Sequence, residues 1–388
     1  MIPVEVYAQT IRGFLTPVHR YLDDESVTEI MINGPDEVFI EQRGKLFRTD
    51  ARFSPEELRS AIHNIAQFQG VTVDNERPIL EARLPDGSRV EAILPPAGSQ
   101  GPHVAIRRFS KDKLTVEKLL QLGALTHTAA EALCMMVEHK QNVIVAGGTG
   151  SGKTSMLNCL SSFIPSGERV VVIEDARELQ LQGDHVVQLE TQKPDPNGRG
   201  AVTTGDLFKA TLRMRPDRIV VGEIRGGEAL ELVQAMTSGH GGCMSTVHAT
   251  YPSDTLNRLE TMALMSKVSL PLSALRAQIA SAVDIIVQTS RMRDGSRGVT
   301  HITEVTGTDA NGNYTLCDLF VRNGHEGSGR STLVPTGNMP RCIEAIHSSG
   351  SRLPEAMYAA ALRRNDAHAG LNGASHAHEL ARRTPEMP

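Results

Sequence analysis

The stretch QNVIVAGGTGSGKTS, residues 141–155, decides the fold of this chain. Val143 to Ala146 is an apolar run suited to a buried strand, and Gly147-Gly148-Thr149-Gly150-Ser151-Gly152-Lys153-Thr154 then satisfies G-x-x-x-x-G-K-[ST] in full. Glycines let the backbone curl around a phosphate with successive N–H groups turned inward, and the helix that follows offers its positive end. The pattern therefore predicts a strand, a phosphate-cradling loop and a helix from Lys153. Lys153 would reach the terminal phosphates of a nucleoside triphosphate, Thr154 would give its hydroxyl to Mg²⁺, and Ser155 is placed for a phosphate nearer the nucleoside.

Outward from this loop the chain alternates. ERVVVIED, HVVQLET, a helix near Leu207, DRIVVGEI, a helix near Ala229 and CMSTVHA follow in turn, which predicts a mostly parallel sheet covered by helices. After residue 285, DIIVQTS, VTHITEV and YTLCDLF are separated by Asp294-Gly295 and Asn311-Gly312, turn pairs that predict hairpins extending the same sheet. Upstream, residues 1–112 read as a small α/β domain. Its signals are Arg43-Gly44 between two strand-like runs, an Asp-Gly turn in ARLPDGSRVEAILPP, and the short strand VAI at 104–106. Between them Ser54, Pro55 and Glu57 open a helix with a capping box, Leu58, Ile62, Ile65 and Phe68 share one face, and Gly70 ends it. The charged residues 113–125 read as a linker, 126–322 as the P-loop domain and 323–364 as a C-terminal extension. Residues 365–388, with few large apolar side chains, read as a loose tail.

Composition narrows the function. The 388 residues, 40% hydrophobic, suffice for two ordinary domains. With 40 basic against 45 acidic residues the net charge is -5, so no overall basic field favours a nucleic-acid backbone. The five cysteines lack any C-x-x-C pair, which signals neither a disulfide framework nor a zinc site and suits a reducing cytoplasm. The opening MIPVEVYAQTIRGFL fails as a secretory signal, and no apolar stretch has the length of a membrane span.

Hydrolysis also needs a carboxylate that positions or deprotonates the attacking water. Two apolar runs end in acids, Val170 to Ile173 before Glu174-Asp175, and Ile219 to Val221 before Gly222-Glu223, with Glu178 just beyond the first. Open α/β sheets present ligand groups at such strand ends. Gly222 stands where an ordinary P-loop protein has an aspartate, so Glu223 becomes the catalytic candidate.

Several segments together carry a resemblance. YLDDESVTEIMINGP, EARLPDGSRVEAILPP, VAIRRFS, GGTGSGKTS, IEDARELQL, LRMRPDRIVVGEIRGGEAL, TSGHGGCMSTVHAT and PLSALRAQIASAVDIIVQTSRMRDGSR resemble the secretion ATPases of type II and type IV secretion and type IV pili, with the tight-adherence pilus branch the nearest. The resemblance implies an α/β fold, in which a small N-terminal α/β domain precedes a RecA-like P-loop ATPase domain with C-terminal hairpin strands and helices. It implies ATP and Mg²⁺ as ligands, Glu223 as the catalytic glutamate of an atypical Walker B strand, and Glu178 at the metal and water site. Arg213 matches an arginine just before that strand. His240 and His248 match a His box that senses the γ-phosphate and relays its state to neighbouring subunits. Arg89 and Arg107, with Arg83 as a third candidate, match arginines that close over the nucleotide and neutralise phosphate charge.

The resemblance further implies a homo-hexamer in the cytoplasm, peripheral at the inner membrane, with an inner-membrane platform protein of a pilus or secretion machine as partner and no nucleic acid. Relatives carry a longer helical extension before the matched YLDDESVTEI, so a docking role for such an extension is not expected here. Ala176, where many secretion ATPases have proline, points to the tight-adherence branch. Two other classes stay open on the residues alone. A nucleic-acid translocase would need a basic lane, which the net charge and 4% aromatic content do not favour. A nucleotide-gated scaffold would bind ATP and hardly hydrolyse it.

Overall fold

The computed structural model describes residues 4–109, 114–181, 183–195, 198–268, 270–323 and 331–365. The first residue of the expected linker and nearly all of the expected tail lie outside the described residues. The chain forms two compact units, Met1–Lys113 and Leu114–Pro388.

In the first unit, helices α1 (Val4–Phe14) and α2 (His19–Asp23) precede β1 (Val27–Asn33), β2 (Val38–Gln42) and β3 (Lys45–Arg48). Helix α3 (Pro55–Phe68) follows, then β4 (Ile79–Arg83), β5 (Arg89–Ile93) and β6 (His103–Arg107). The strands pair antiparallel in the order β3-β2-β1-β6-β5-β4. Arg43 at φ +51° and Gly44 at φ +75° make the tight turn between β2 and β3 that their sequence signalled. Ser54 Oγ accepts the Glu57 N–H at 3.1 Å and Glu57 Oε2 accepts the Ser54 N–H at 2.7 Å, so two orphan donors at the start of α3 are met, and Pro55 brings none. Its buried face, Leu58, Ile62 and Ile65, joins one core with Ile30, Ile32, Val90 and Ile106 of the sheet. Each such side chain contributes about 1.5–3 kcal/mol through burial.

The second unit opens with α4 (Val116–Gln121) and α5 (His127–Glu138), then β7 (Val143–Gly147), α6 (Lys153–Ser161), β8 (Val170–Glu174), β9 (Val186–Glu190), α7 (Thr204–Thr211), β10 (Arg218–Val221), α8 (Glu228–Thr237), β11 (Met244–His248), α9 (Pro252–Ala263) and α10 (Leu272–Ala282). Strands β12 (Ile285–Arg291), β13 (Arg297–Thr308), β14 (Tyr314–Asn323) and β15 (Thr332–Pro335) follow, with α11 (Ile343–Ser348) and a closing helix α12 over 355–365. The sheet order is β15-β14-β13-β12-β7-β11-β10-β8-β9. From β12 to β9 neighbours run parallel, and β13 to β15 add antiparallel hairpins. Alternate residues of β7 serve opposite faces, as a strand period of two requires: Val143 and Val145 pack with α5 and α6, Ile144 and Ala146 with α8 to α10.

One expectation changes. The charged stretch read as a linker contains α4, whose N-cap Thr115 Oγ1 accepts the Lys118 N–H at 3.3 Å and whose Leu119 enters the core beside Val143 and Leu157. Its charges lie on the outer side of a short helix, which hid the apolar face. The extension after residue 322 packs into that same core through Leu333, Ile346, Leu353 and Met357. Among the described residues no helix is long and apolar enough to cross a membrane.

Candidate nucleotide-binding site

The P-loop is shaped by contacts that exclude side chains. A Cβ on Gly147 would fall 2.3 Å from Ser151 Oγ and 2.4 Å from Thr289 Oγ1, so only glycine fits where β7 ends. Gly150 at φ +67° and Gly152 at φ +94° turn the chain through the left-handed region into α6. Gly148 and Thr149 form the crest, and Gly148 faces open space. Thr154 and Ser155 sit half-buried in the first turn of α6. Lys153, 8% exposed, donates from Nζ to Gly148 O at 3.0 Å and lies 3.3 Å from His248 Nδ1. Its ammonium is thereby held over the loop, where a bound phosphate would replace the carbonyl.

Parallel register carries the remaining groups to the same sheet edge. His248 of β11 is level with Gly147, while Val221 of β10 is level with Ser245 of β11 and Ile173 of β8. Residues just past these positions therefore gather beside the loop. His248 Nε2 lies 2.7 Å from Glu223 Oε1. Arg225, which the sequence reading missed, donates from Nε to Glu223 Oε2 at 2.8 Å and from Nη1 to Asp175 Oδ2 at 3.5 Å. Lys153, His248, Glu223, Arg225 and Asp175 thus form one chain of contacts. Burial and the Lys153 charge lower the His248 pKa against the opposing pull of Glu223, which favours a neutral ring that accepts from Lys153 at Nδ1 and keeps its proton on Nε2.

The Gly222 oddity has a steric cause. Glu174, 5% exposed, lies across Gly222, whose Cβ would be 3.0 Å from Glu174 Cγ. Glu174 Oε1 accepts the N–H groups of Glu178 and Leu179, each at 2.9 Å, and burial pushes its pKa up to about 7. Glu178 therefore rises from a backbone fixed by a buried carboxyl. Asn158 Oδ1 accepts the Gln180 N–H at 3.0 Å, tying this segment to α6 one turn beyond Thr154. A hydroxyl and a carboxylate, both hard oxygen donors, fit Mg²⁺ that takes its other ligands from phosphates and water. Among the described residues no cluster of three His, Cys, Asp or Glu suggests a further metal site.

Not every candidate comes to this edge. His240 precedes β11 by four residues, and the strand between it and His248 spans roughly 13 Å at ~3.3 Å per residue. Its N–H bonds Ala235 O at 3.3 Å and its carbonyl accepts from Cys243 Sγ at 3.0 Å, at the end of the sheet away from the loop. Arg213, exposed in the turn after α7, lies at that same far end. In the first unit, Arg83, Arg89 and Arg107 are cross-strand partners on β4, β5 and β6, and form one basic row on the face opposite the buried Val90 and Ile106. Gln288 and Thr289 were also missed. Their one signal is that buried polar residues end the apolar run DIIV.

Known proteins resemble this chain in sequence and in fold. Residues 14–377 match the family described as type II/IV secretion system protein. A putative conjugal transfer protein of Mycobacterium tuberculosis is 33% identical over 297 residues, 75% of this chain and 83% of that one. The type IV secretion system protein PtlH homolog of Bordetella bronchiseptica is 35% identical over 303 residues, 71% of this chain and 89% of that one. Among solved structures, the Legionella pneumophila ATPase DotB aligns with a TM-score of 0.52 at 22% identity over 74% of this chain and 79% of its own. The pilus retraction motor PilT, solved with bound ADP, aligns with a TM-score of 0.53 at 18% identity over 78% of this chain and 84% of its own. These likenesses bear out the expected α/β fold, an N-terminal unit followed by a RecA-like ATPase domain. The two sequence relatives carry conjugal-transfer and type IV secretion names, and neither name assigns the chain to the tight-adherence branch. A match that leaves only the two ends of the chain uncovered is decisive: the protein belongs to the type II/IV secretion system protein family.

Proposed function

We propose that this protein is the ATP-hydrolysing motor of a bacterial secretion or pilus-assembly system, working as a hexameric ring in the cytoplasm against an inner-membrane platform protein. The observation that carries the reading is the continuous contact from Lys153 through His248 to Glu223, which joins the phosphate loop to the proposed catalytic carboxylate.

In this reading Lys153 and the loop amides of Gly147 to Gly152 hold the phosphates. Thr154 and Glu178 hold Mg²⁺, which shields charge on the phosphate oxygens when bound. Glu223 orients the water that attacks the γ-phosphorus, and the bond to the leaving ADP oxygen breaks in line. His248 registers the γ-phosphate through its contact with Lys153. Arg89 and Arg107 are the family-matched arginines that neutralise phosphate charge, Arg213 is the matched arginine just ahead of β10, and His240 serves the relay between subunits. Hydrolysis would be measured against protein concentration in magnesium buffer. Specific activity that climbs together with ring mass supports a self-assembled motor, and activity that resides in monomers at all concentrations contradicts it. The name of the M. tuberculosis relative makes DNA the natural control; hydrolysis stimulated by DNA would favour a translocase instead.

A further inference from the structure

We infer that Gln288 and Thr289, in the middle of β12, are positioning residues for the nucleotide site, Thr289 setting the P-loop and Gln288 setting the segment that carries His248. The inference rests on the nucleotide-site reading above. Neither residue lies in a phosphate-binding motif, and both are buried, at 3% and 2% exposure. Parallel register puts Gln288 beside Ala146 and Thr289 beside Gly147. Consecutive strand residues face opposite sides, so one dipeptide can brace two different segments.

Thr289 Oγ1 lies 3.0 Å from Ala146 O and 2.9 Å from Ser151 Oγ, and Ser151 Oγ lies 2.9 Å from Gly148 O. Two hydroxyl protons therefore serve three contacts. With Lys153 already donating to Gly148 O, Ser151 can donate to Thr289 and Thr289 to Ala146 O. When Lys153 turns to a phosphate, Ser151 can donate to Gly148 O instead and accept the Thr289 proton, which then leaves Ala146 O. The threonine hydroxyl lets the loop keep its shape in both situations. On the other face, Gln288 Nε2 donates to Ala249 O and Thr250 O, each at 3.1 Å. It pins the two residues directly after His248, and with them the ring between Lys153 and Glu223.

The experiment compares full-length wild type, Thr289→Val, Thr289→Ser and Gln288→Met by binding of a fluorescent ATP analogue, by KM and kcat, and by melting temperature. Thr289→Val should weaken binding and raise KM about tenfold, equivalent to about 1.4 kcal/mol, with kcat changed less. Thr289→Ser, which keeps the hydroxyl, should restore wild-type values. Gln288→Met should lower kcat several-fold while KM stays within twofold. Wild-type affinity and KM in a folded Thr289→Val would overturn the inference, as would an equal loss in Thr289→Ser. If Thr289→Val does not fold, Ser151→Ala, which breaks the same chain from the loop side, must raise KM or the inference fails. Wild type that binds no nucleotide would instead sink the reading on which it rests.

Discussion

His248 stands between Lys153 and Glu223, 3.3 Å from the ammonium through Nδ1 and 2.7 Å from the carboxylate through Nε2. A neutral ring with its proton on Nε2 can accept from Lys153 at Nδ1 and present an N–H to the carboxylate, whereas an imidazolium would turn an N–H toward Lys153. Burial and Lys153 hold the His248 pKa below its ordinary 6.5. A lowered value means that the neutral form, and the contact it makes, is complete above 6.5 and is lost as pH falls through the lowered value. The expected pH profile of kcat/KM has an acidic limb with its midpoint below 6.5, and His248→Asn lacks that limb. The same limb in the variant would assign it to another group.

Gly222 and Glu174 should behave as one unit. An alanine methyl at 222 would press on Glu174 Cγ at 3.0 Å, and overpacking of this kind costs about 1–3 kcal/mol. Gly222→Ala should therefore lower stability in denaturant unfolding and reduce hydrolysis by shifting Glu178. Combining it with Glu174→Ala, which clears the clash, should cost less than the two single changes added together. Strict additivity would show that the two side-chain positions are independent.

Asn142 joins three strands. Its Nδ2 donates to Ala282 O at 2.8 Å just before β12, its Oδ1 accepts the Cys243 N–H at 3.0 Å just before β11, and it precedes β7 itself. Asn142→Ala leaves a buried donor and a buried acceptor unmet, each worth about 1–3 kcal/mol. A midpoint fall in urea corresponding to roughly 2–4 kcal/mol is expected, with nucleotide affinity retained in the folded fraction. An unchanged midpoint would mean that the clamp is energetically idle.

Arg225 holds Glu223 from the side away from His248. Arg225→Gln should lower kcat several-fold by freeing the carboxylate to rotate, while binding of the nucleotide, which Arg225 does not hold, stays near wild type. Weakened binding with kcat unaffected would place Arg225 on the nucleotide instead.

What could be read from the sequence was local. The P-loop, the Arg43-Gly44 turn and the Ser54 cap each announce themselves within a few residues, because the backbone geometry they need restricts which residues can stand there. Gln288 and Thr289 could not be read this way, since their partners at Ala249 and Ser151 come together only through sheet register. His240 illustrates the opposite error. It is near His248 in sequence, yet a full strand carries the two to different edges of the sheet. Gly222 was legible as a departure, and its cause, Glu174 lying across it from β8, was not. Leu119 shows the limit of charge as a linker signal, because one buried leucine on a six-residue helix suffices to anchor a charged segment.

The most direct test is a paired measurement of ATP binding and single-turnover phosphate release in Lys153→Ala and Glu223→Gln, with wild type alongside. Loss of ATP binding in Lys153→Ala, together with retained binding and phosphate release slowed at least a hundredfold in Glu223→Gln, as for loss of about 2.7 kcal/mol of transition-state stabilisation, is the predicted result. Phosphate release from Glu223→Gln at the wild-type rate would contradict the assignment of Glu223 as the residue that orients water, and with it the motor mechanism built on the Lys153, His248 and Glu223 contacts.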